Sequence, residues 1–159
     1  YSLSSLLNDL VNMIQSRATK KGLEFHINAA KDLPSELFGD EIRIKQVVTN
    51  ILTNAVKYTE KGSVILTVNG TKIAEDKIKI FFSVKDTGIG IPEESRERIF
   101  ERFYRVDKSR SKEVGGTGLG LSIVKHAVMI HNGKIEVKSE LGEGTEMIVT
   151  IPNKQDINL

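Results

Sequence analysis

The chain has 159 residues, of which 39% are hydrophobic and 28% charged, so it is long enough to fold as one ordinary domain around a hydrophobic core. Its 23 Lys and Arg residues nearly balance 21 Asp and Glu residues, and the net charge of +2 argues against a nucleic-acid-binding protein. The absence of cysteine excludes disulfides, thiolate nucleophiles and cysteine-ligated metals, and it favours a reducing compartment.

Neither a membrane-spanning segment nor a signal peptide is visible in the sequence. The longest unbroken apolar run, residues 127–130, is far shorter than the ~20 residues that cross a bilayer as a helix. The chain also begins at Tyr1 within a helical pattern. We therefore expect a soluble fragment of a longer protein.

Hydrophobic spacing predicts the order of helices and strands. Apolar residues at every third or fourth position indicate amphipathic helices, and strict alternation indicates half-buried strands. The predicted helices, in chain order, are residues 4–20, 40–58, a short one near 93–102, and 119–131. The predicted strands are residues 23–28, 63–69, 77–85, 134–139 and 145–151. A polar loop over residues 70–76 is expected to join the second and third strands as a hairpin.

This order of elements predicts an α/β sandwich. The strands come mostly as hairpins, so the sheet should be mixed and mostly antiparallel, with the helices collected on one face. Residues 104–117 have no apolar period and carry four basic side chains, so we expect a flexible segment there. The domain is expected to cover residues 1–152, and residues 153–159 are expected to form a C-terminal tail.

Polar side chains interrupt the apolar stripe of the second predicted helix. Asn50 and Asn54 lie one turn apart, and Lys57 and Tyr58 lie a further turn along the same face. A single helical Asn is usually solvated. Two such poor helix formers in mid-helix also fit ligation of a hard cation, because Mg²⁺ accepts amide carbonyl and phosphate oxygens. Spacing alone leaves both interpretations open.

A glycine-containing turn follows the third predicted strand. Its sequence is Asp86-Thr87-Gly88-Ile89-Gly90-Ile91-Pro92. Glycine lets a flat aromatic group approach the backbone closely, and a carboxylate can accept a hydrogen bond from the exocyclic amine of a purine. The alternative is an ordinary tight turn.

Four glycines fall within residues 115–120, immediately before the last predicted helix. A glycine-rich segment that enters a helix N-terminus can bind phosphate through free N–H groups and the helix dipole. The glycines at 116, 118 and 120 do not match G-x-G-x-x-G, and no Gly-Lys-Ser/Thr follows them. The pattern therefore disfavours a Rossmann or P-loop nucleotide site.

Taken in this order, the motifs resemble the ATP-binding catalytic domain of two-component sensor histidine kinases, over about residues 1–152. The segments that carry the resemblance are an asparagine box within 40–59, a first glycine box at 86–92, a phenylalanine box at 100–105, a second glycine box at 116–120 and a closing turn at 142–145. The sequence departs from the family pattern at Glu146-Met147, where a hydroxyl-aromatic pair is more usual. We expect that departure to affect the packing of the last hairpin.

The resemblance implies an ATP-binding α/β sandwich with a flexible lid, a fold shared with type II topoisomerase and heat-shock chaperone ATPases. It implies that Asn54 binds Mg²⁺, that Asn50 completes the metal and phosphate shell, and that Lys57 contacts phosphate. Asp86 would accept a hydrogen bond from adenine N6, and Arg105 with the glycine-rich lid would close on the triphosphate. The other ATP-contacting residues implied by the motifs are Tyr58, Gly88, Gly90, Lys108, Gly116, Thr117, Gly118, Leu119 and Gly120.

Kinases of this type carry the phosphoacceptor histidine on a separate dimerising helical hairpin. His26, His126 and His131 of this chain are expected on the surface or at a helix end. The resemblance therefore implies transfer of the γ-phosphoryl group of Mg-ATP to a histidine on the parent protein's dimerisation domain, with a response regulator downstream. The isolated domain would be monomeric. The parent would be a membrane-attached homodimer with this domain in the cytoplasm.

Three alternatives stay open. An ATPase clamp of the topoisomerase or chaperone type would hydrolyse ATP, but those proteins place a water-activating Glu where Asn50 stands, and an amide cannot act as a general base. A nucleotide-sensing module would regulate by binding alone. A protein serine kinase of the same fold is the third alternative.

Overall fold

The computed structural model of the chain describes residues 1–104 and 120–154. Its helices are α1 (Leu3–Lys21), α2 (Glu41–Tyr58) and α3 (Gly120–Ile130). Its strands are β1 (Glu24–Ala29), β2 (Ser63–Ala74), β3 (Lys77–Asp86), β4 (Lys134–Glu140) and β5 (Gly144–Lys154). Two short 3-10 turns, Glu93–Ser95 and Arg98–Phe100, follow β3.

The strands form one sheet in the order β1-β2-β3-β5-β4. β1 and β2 are parallel and are joined through α2, because a parallel pair needs a crossover connection. The other neighbouring pairs are antiparallel. Alternate side chains on only one face of β2 and β3 are fully buried, and the helices cover that face. The predicted α/β sandwich with a mixed, mostly antiparallel sheet is confirmed.

The first two helices are fixed by their ends as well as by their apolar faces. Ser2 caps α1 by accepting a hydrogen bond from the Ser5 N–H at 3.3 Å, and Asp40 caps α2 by accepting one from the Arg43 N–H at 3.2 Å. The largest side chains with almost no exposed surface are Leu6, Leu10, Ile14, Ile44, Val48, Leu52, Val64, Leu66, Val68, Ile80, Phe82 and Val124. They place the core between the helices and the sheet.

The prediction of a hairpin loop over residues 70–76 is wrong. β2 continues to Ala74, which pairs with Lys77 across a turn of two residues, Glu75 and Asp76. The β2 half of this hairpin end, residues 71–74, is exposed on both faces, so its sequence has no hydrophobic alternation to mark it as strand.

β5 extends beyond its predicted end at Ile151. Asn153 lies opposite Ile78 of β3, and its side chain is buried. The Asn153 amide binds the backbone of Phe38, accepting from the N–H at 2.9 Å and donating to the carbonyl. Asn is a poor strand former, but these two hydrogen bonds fix it at the end of the strand.

The expected short helix near 93–102 is replaced by the two 3-10 turns. The Glu101 N–H bonds the Arg98 carbonyl at 2.9 Å, three residues back, and Phe103 has a left-handed backbone with φ of 63°. The chain therefore leaves helical geometry before Tyr104.

Candidate functional site

The polar face of α2 carries the first set of predicted site residues. Asn50, Asn54, Lys57 and Tyr58 are all half-buried on this helix. The last turn of α2 is held by Lys21 of α1, whose ammonium donates to the carbonyls of Val56 and Lys57, each at 2.7 Å. Because a cation favours a helix C-terminus, α1 stabilises the end of the helix that carries the predicted ligands.

The C-terminal end of α2 contacts the turn that begins at Asp86. The Ile89 N–H donates to the Tyr58 carbonyl at 3.3 Å. A Cβ atom at Gly88 would lie 2.5 Å from that carbonyl oxygen and 2.9 Å from Oγ1 of Thr59. Only glycine fits at this position. The structure thus brings the asparagine-bearing helix and the first glycine segment together, as the sequence predicts.

Asp86 lies at the end of β3 and points to the helix-covered side of the sheet. Its Oδ1 accepts hydrogen bonds from the backbone N–H groups of Gly88, at 2.9 Å, and Thr145, at 3.2 Å. Burial raises the pKa of this carboxyl above its ordinary value, and the two backbone hydrogen bonds oppose that rise. Within the described residues both of these bonds end on Oδ1, which leaves Oδ2 for a ligand.

The turn after Asp86 is tied to the β4–β5 turn. The Gly142 N–H donates to the Ile89 carbonyl at 2.7 Å, and the Ile91 N–H donates to Oγ of Ser139 at 2.8 Å. Gly90 has a φ of 74°, and a Cβ there would collide with the Glu140 carbonyl. This left-handed, closely packed position requires glycine.

Two residues near Asp86 were missed by sequence reasoning. Thr145 donates its backbone N–H to the carboxylate, and Thr59 lies fully buried beside Gly88 with no hydrogen-bond partner for Oγ1 among the described residues. The sequence signal for Thr145 is the alternation of β5, because Thr145 lies two residues before the buried Met147 and therefore on the same face of the strand. No sequence signal distinguishes Thr59 from any hydroxyl that follows a helix.

The segment before residue 105 is fixed by aromatic contacts. The hydroxyls of Ser95 and Tyr104 are 2.7 Å apart, and the Arg98 guanidinium lies 4.5 Å from the centre of the Tyr104 ring. The predicted residues Arg105, Lys108, Gly116, Thr117, Gly118 and Leu119 lie outside the described residues. Gly120 is the first residue of α3, and among residues 1–104 and 121–154 nothing lies within 4 Å of the position that its Cβ would take.

Residues 39–155 match the family described as "Histidine kinase-, DNA gyrase B-, and HSP90-like ATPase". The chain belongs to this ATPase family. It is 42% identical over 137 residues to the sensor histidine kinase WalK of Bacillus subtilis (strain 168), an alignment that covers 84% of the chain and 22% of WalK. It is 37% identical over 145 residues to the signal transduction histidine-protein kinase BarA of Escherichia coli (strain K12), with 91% of the chain and 16% of BarA covered.

The ATPase domain is also similar to a solved structure, that of full-length ShkA in complex with AMPPNP. The TM-score is 0.81 at 35% sequence identity, over 98% of this chain and 31% of ShkA. The resemblance to sensor histidine kinases is thereby confirmed, and so is the fold. The chain spans between 16% and 32% of the length of curated relatives such as BarA and the sensor histidine kinase RppB. Across residues 1–104 and 120–154, no helix has the length and apolar character needed to cross a bilayer.

The histidines of the ATPase domain lie where the sequence predicts. His26 is exposed and 3.4 Å from Glu24, His126 is exposed on α3, and His131 binds the Ala127 carbonyl at the end of α3 at 2.8 Å. No three His, Cys, Asp or Glu side chains of the described part of the chain come together as a metal site. The amide oxygens of Asn50 and Asn54 stay the predicted metal ligands.

Proposed function

We propose that this ATPase domain binds Mg-ATP and transfers the γ-phosphoryl group to a histidine on a separate dimerisation domain of a parent sensor kinase. The observation that carries the proposal is the half-buried Asp86 carboxylate, which begins a turn that packs against the end of the asparagine-bearing helix α2, where Gly88 admits no side chain. The similarity of the chain to WalK and BarA supports it.

The residues around Asp86 fit a purine nucleotide. An ionised carboxylate only accepts hydrogen bonds, so it suits the adenine 6-amino group and repels a 6-oxo group. Gly88 and Gly90 let the turn pack closely against the Tyr58 and Glu140 carbonyls, and this packing holds the turn that follows Asp86 against the end of α2. In this arrangement Asp86 would hold the base, and Tyr58, the last residue of α2, would contact the nucleotide beside it.

The residues of α2 fit a hard cation and phosphate. Asn50 and Asn54 supply neutral amide oxygens, the donor type that Mg²⁺ accepts beside phosphate and water. Bound Mg²⁺ would neutralise charge on the phosphates during transfer. Lys57 would pair with phosphate, and the basic residues Arg105 and Lys108 with the glycine segment 116–120 would enclose the triphosphate.

The side chains of α2 favour transfer over hydrolysis. Asn50 cannot take a proton from water, so the helix offers no general base at that position. The three histidines of the chain lie on its surface or at the end of α3, so the acceptor would come from another domain. The proposed partners are therefore the dimerisation domain of a homodimeric parent and, after it, a response regulator. We propose a cytoplasmic position beside a membrane-attached remainder of the parent.

The test is a transfer assay with γ-³²P-ATP and the parent's histidine-bearing hairpin, supplied as a separate chain. Label should pass to the hairpin as an acid-labile, base-stable phosphoryl group, and Asn54→Ala should abolish this transfer. Asn8→Ala, an exposed Asn on α1, is the matched control and should transfer label normally.

Two results would contradict the proposal. Rapid release of inorganic phosphate by the domain alone would indicate an ATPase clamp. Tight ATP binding without label on the hairpin would indicate a module that senses nucleotide by binding.

A further inference from the structure

A row of polar side chains ends the helix-covered face of the sheet. In the strand register, Asp86 of β3 pairs with Thr145 of β5, and Thr145 pairs with Ser139 of β4. The next row on the same face consists of the apolar residues Val84, Met147 and Val137. We call Asp86, Thr145 and Ser139 the polar row. It is the row that follows the apolar rows at this end of the face.

Ser139 is the most heavily bonded member of the polar row. Its Oγ lies 2.8 Å from the Ile91 N–H nitrogen, 2.8 Å from the Gly144 carbonyl oxygen and 2.8 Å from Oγ1 of Thr145. A hydroxyl has one proton to donate and two lone pairs that accept. Three contacts therefore use the whole hydrogen-bonding capacity of this side chain.

The direction of each bond follows from the partners. The Ile91 N–H can only donate, so Ser139 accepts there. The Gly144 carbonyl can only accept, so the single Ser139 proton must lie on that contact. The remaining contact joins two hydroxyl oxygens at 2.8 Å, and the proton between them must come from Thr145. Thr145 therefore donates to Ser139, and Oγ1 of Thr145 has only lone pairs to offer elsewhere.

These directions determine which hydrogen bonds the polar row can offer to a ligand. The Asp86 carboxylate accepts hydrogen bonds, and its neighbour Thr145 presents an oxygen whose proton is already committed to Ser139. A hydroxyl without such a partner would rotate and donate to whichever group faced it. With Ser139 in place, both oxygens of the row favour a donor and disfavour a carbonyl.

We propose that Ser139 is a positioning residue for base selection, which holds the Thr145 proton so that the polar row accepts hydrogen bonds and selects a 6-amino over a 6-oxo purine. The proposal rests on the proposed function, since it assumes that a purine nucleotide binds at Asp86. In this proposal Ser139 acts only through Thr145, whose oxygen would face the 6-substituent of the base and not N1; an accepting oxygen beside N1 would instead favour the N1–H of a 6-oxo purine.

The test compares ATP with inosine triphosphate, which differs from ATP in carrying a 6-oxo group and an N1–H in place of the 6-amino group and the bare N1. Dissociation constants are measured by titration calorimetry for the wild type, Ser139→Ala and Ser139→Thr. In Ser139→Ala the Thr145 proton is free to donate to the 6-oxo group, so the preference for ATP over inosine triphosphate should fall by about 3- to 10-fold, the size of one neutral hydrogen bond. Ser139→Thr keeps a hydroxyl and should keep the preference.

A matched control separates this role from a structural one. Ser83→Ala removes a half-buried serine from the opposite face of β3, away from the polar row. It removes packing and so lowers stability, but it should leave the ratio of the two dissociation constants unchanged. Loss of stability in Ser139→Ala without any change in that ratio would overturn the proposal while leaving ATP binding at Asp86 intact.

A second measurement covers the case in which Ser139→Ala does not fold. Neutron diffraction from the deuterium-exchanged wild type should locate the Thr145 hydroxyl deuterium on the line to Oγ of Ser139. A deuterium that points from Thr145 toward Asp86 would overturn the proposal. If the wild type bound neither nucleotide, the proposed function would fail, and this inference would fail with it.

Discussion

Replacing Thr59 with valine should make the nucleotide-free domain more stable. The Thr59 side chain is fully buried after the end of α2, and its Oγ1 has no hydrogen-bond partner among the described residues. Burying an unpaired hydroxyl costs roughly 1–3 kcal/mol, and valine keeps the branched shape while removing the polar atom. We expect Thr59→Val to raise the free energy of unfolding by about 1–2 kcal/mol. For a domain of this size, that is a rise of about 2–8 °C in melting temperature.

The same substitution at Thr145 is the matched control, because its hydroxyl lies 2.8 Å from Oγ of Ser139. Thr145→Val removes a formed hydrogen bond, so it should lower the free energy of unfolding by about 1 kcal/mol. Both variants are compared with the wild type by thermal unfolding and by urea titration. The dependence of the free energy of unfolding on urea concentration should be the same for all three proteins, so that a shifted midpoint reports a change in stability. A fall in stability for Thr59→Val equal to that for Thr145→Val would refute the reasoning, since it would mean that the Thr59 hydroxyl is hydrogen-bonded in solution.

Three other sites give clear expectations. Asn54→Ala should abolish metal-dependent transfer with little change in melting temperature, whereas Leu52→Ala should cost ~2–5 kcal/mol of stability; an unfolded Asn54→Ala would make that residue structural. Asp86→Asn should weaken ATP binding about tenfold to a hundredfold in calorimetry, and unchanged binding would contradict the adenine assignment. Burial raises the pKa of Asp86, so the stability of the wild type relative to Asp86→Asn should fall as the pH rises through that pKa. A difference in melting temperature between the two proteins that stays constant across acidic pH would contradict this. Lys21→Met should lower the free energy of unfolding by about 1 kcal/mol, while Lys20→Met, at an exposed neighbour, should not. Equal losses of stability in the two variants would mean that the bonds from Lys21 to the Val56 and Lys57 carbonyls do not stabilise the end of α2.

The parts of the fold that the sequence predicts are those with strong periodicity. The predicted helix 40–58 differs from α2 by a single residue at its start, because the apolar stripe and the Asp40 cap both place the helix there. The neighbourhood of α2 and Asp86 was also predicted, since the family motifs fall on both. The end of β2 was missed because residues 71–74 are exposed on both faces. The last residues of β5 were missed because Asn153 is held by hydrogen bonds from its side chain to the Phe38 backbone.

The parts of the site that were missed depend on contacts between distant strands. Thr145 falls in the closing turn of the family resemblance, and Ser139 looks like an ordinary strand residue. Their contacts with each other and with Asp86 become visible only when the register of β3, β5 and β4 is known. The single proton that Ser139 can donate is assigned by three partners from two segments of the chain, Ile91 after β3 and Gly144 with Thr145 at the start of β5. The contact with Ile91 spans 48 positions, and no local pattern contains it. Thr59 is missed for a similar reason, since its burial results from the approach of Gly88.

The strand order has a consequence for how the domain folds. β2 and β3 form a hairpin closed by a two-residue turn, so they can pair early, but β3 must also pair with β5, and Asp86 and Thr145 are 59 positions apart in the chain. Closing so long a loop is entropically costly, and long-range strand pairing is slow. We infer that the contact between Asp86 and Thr145 forms late, after the hairpin. The domain would then acquire its hydrophobic sheet before it acquires the carboxylate environment on which nucleotide recognition depends.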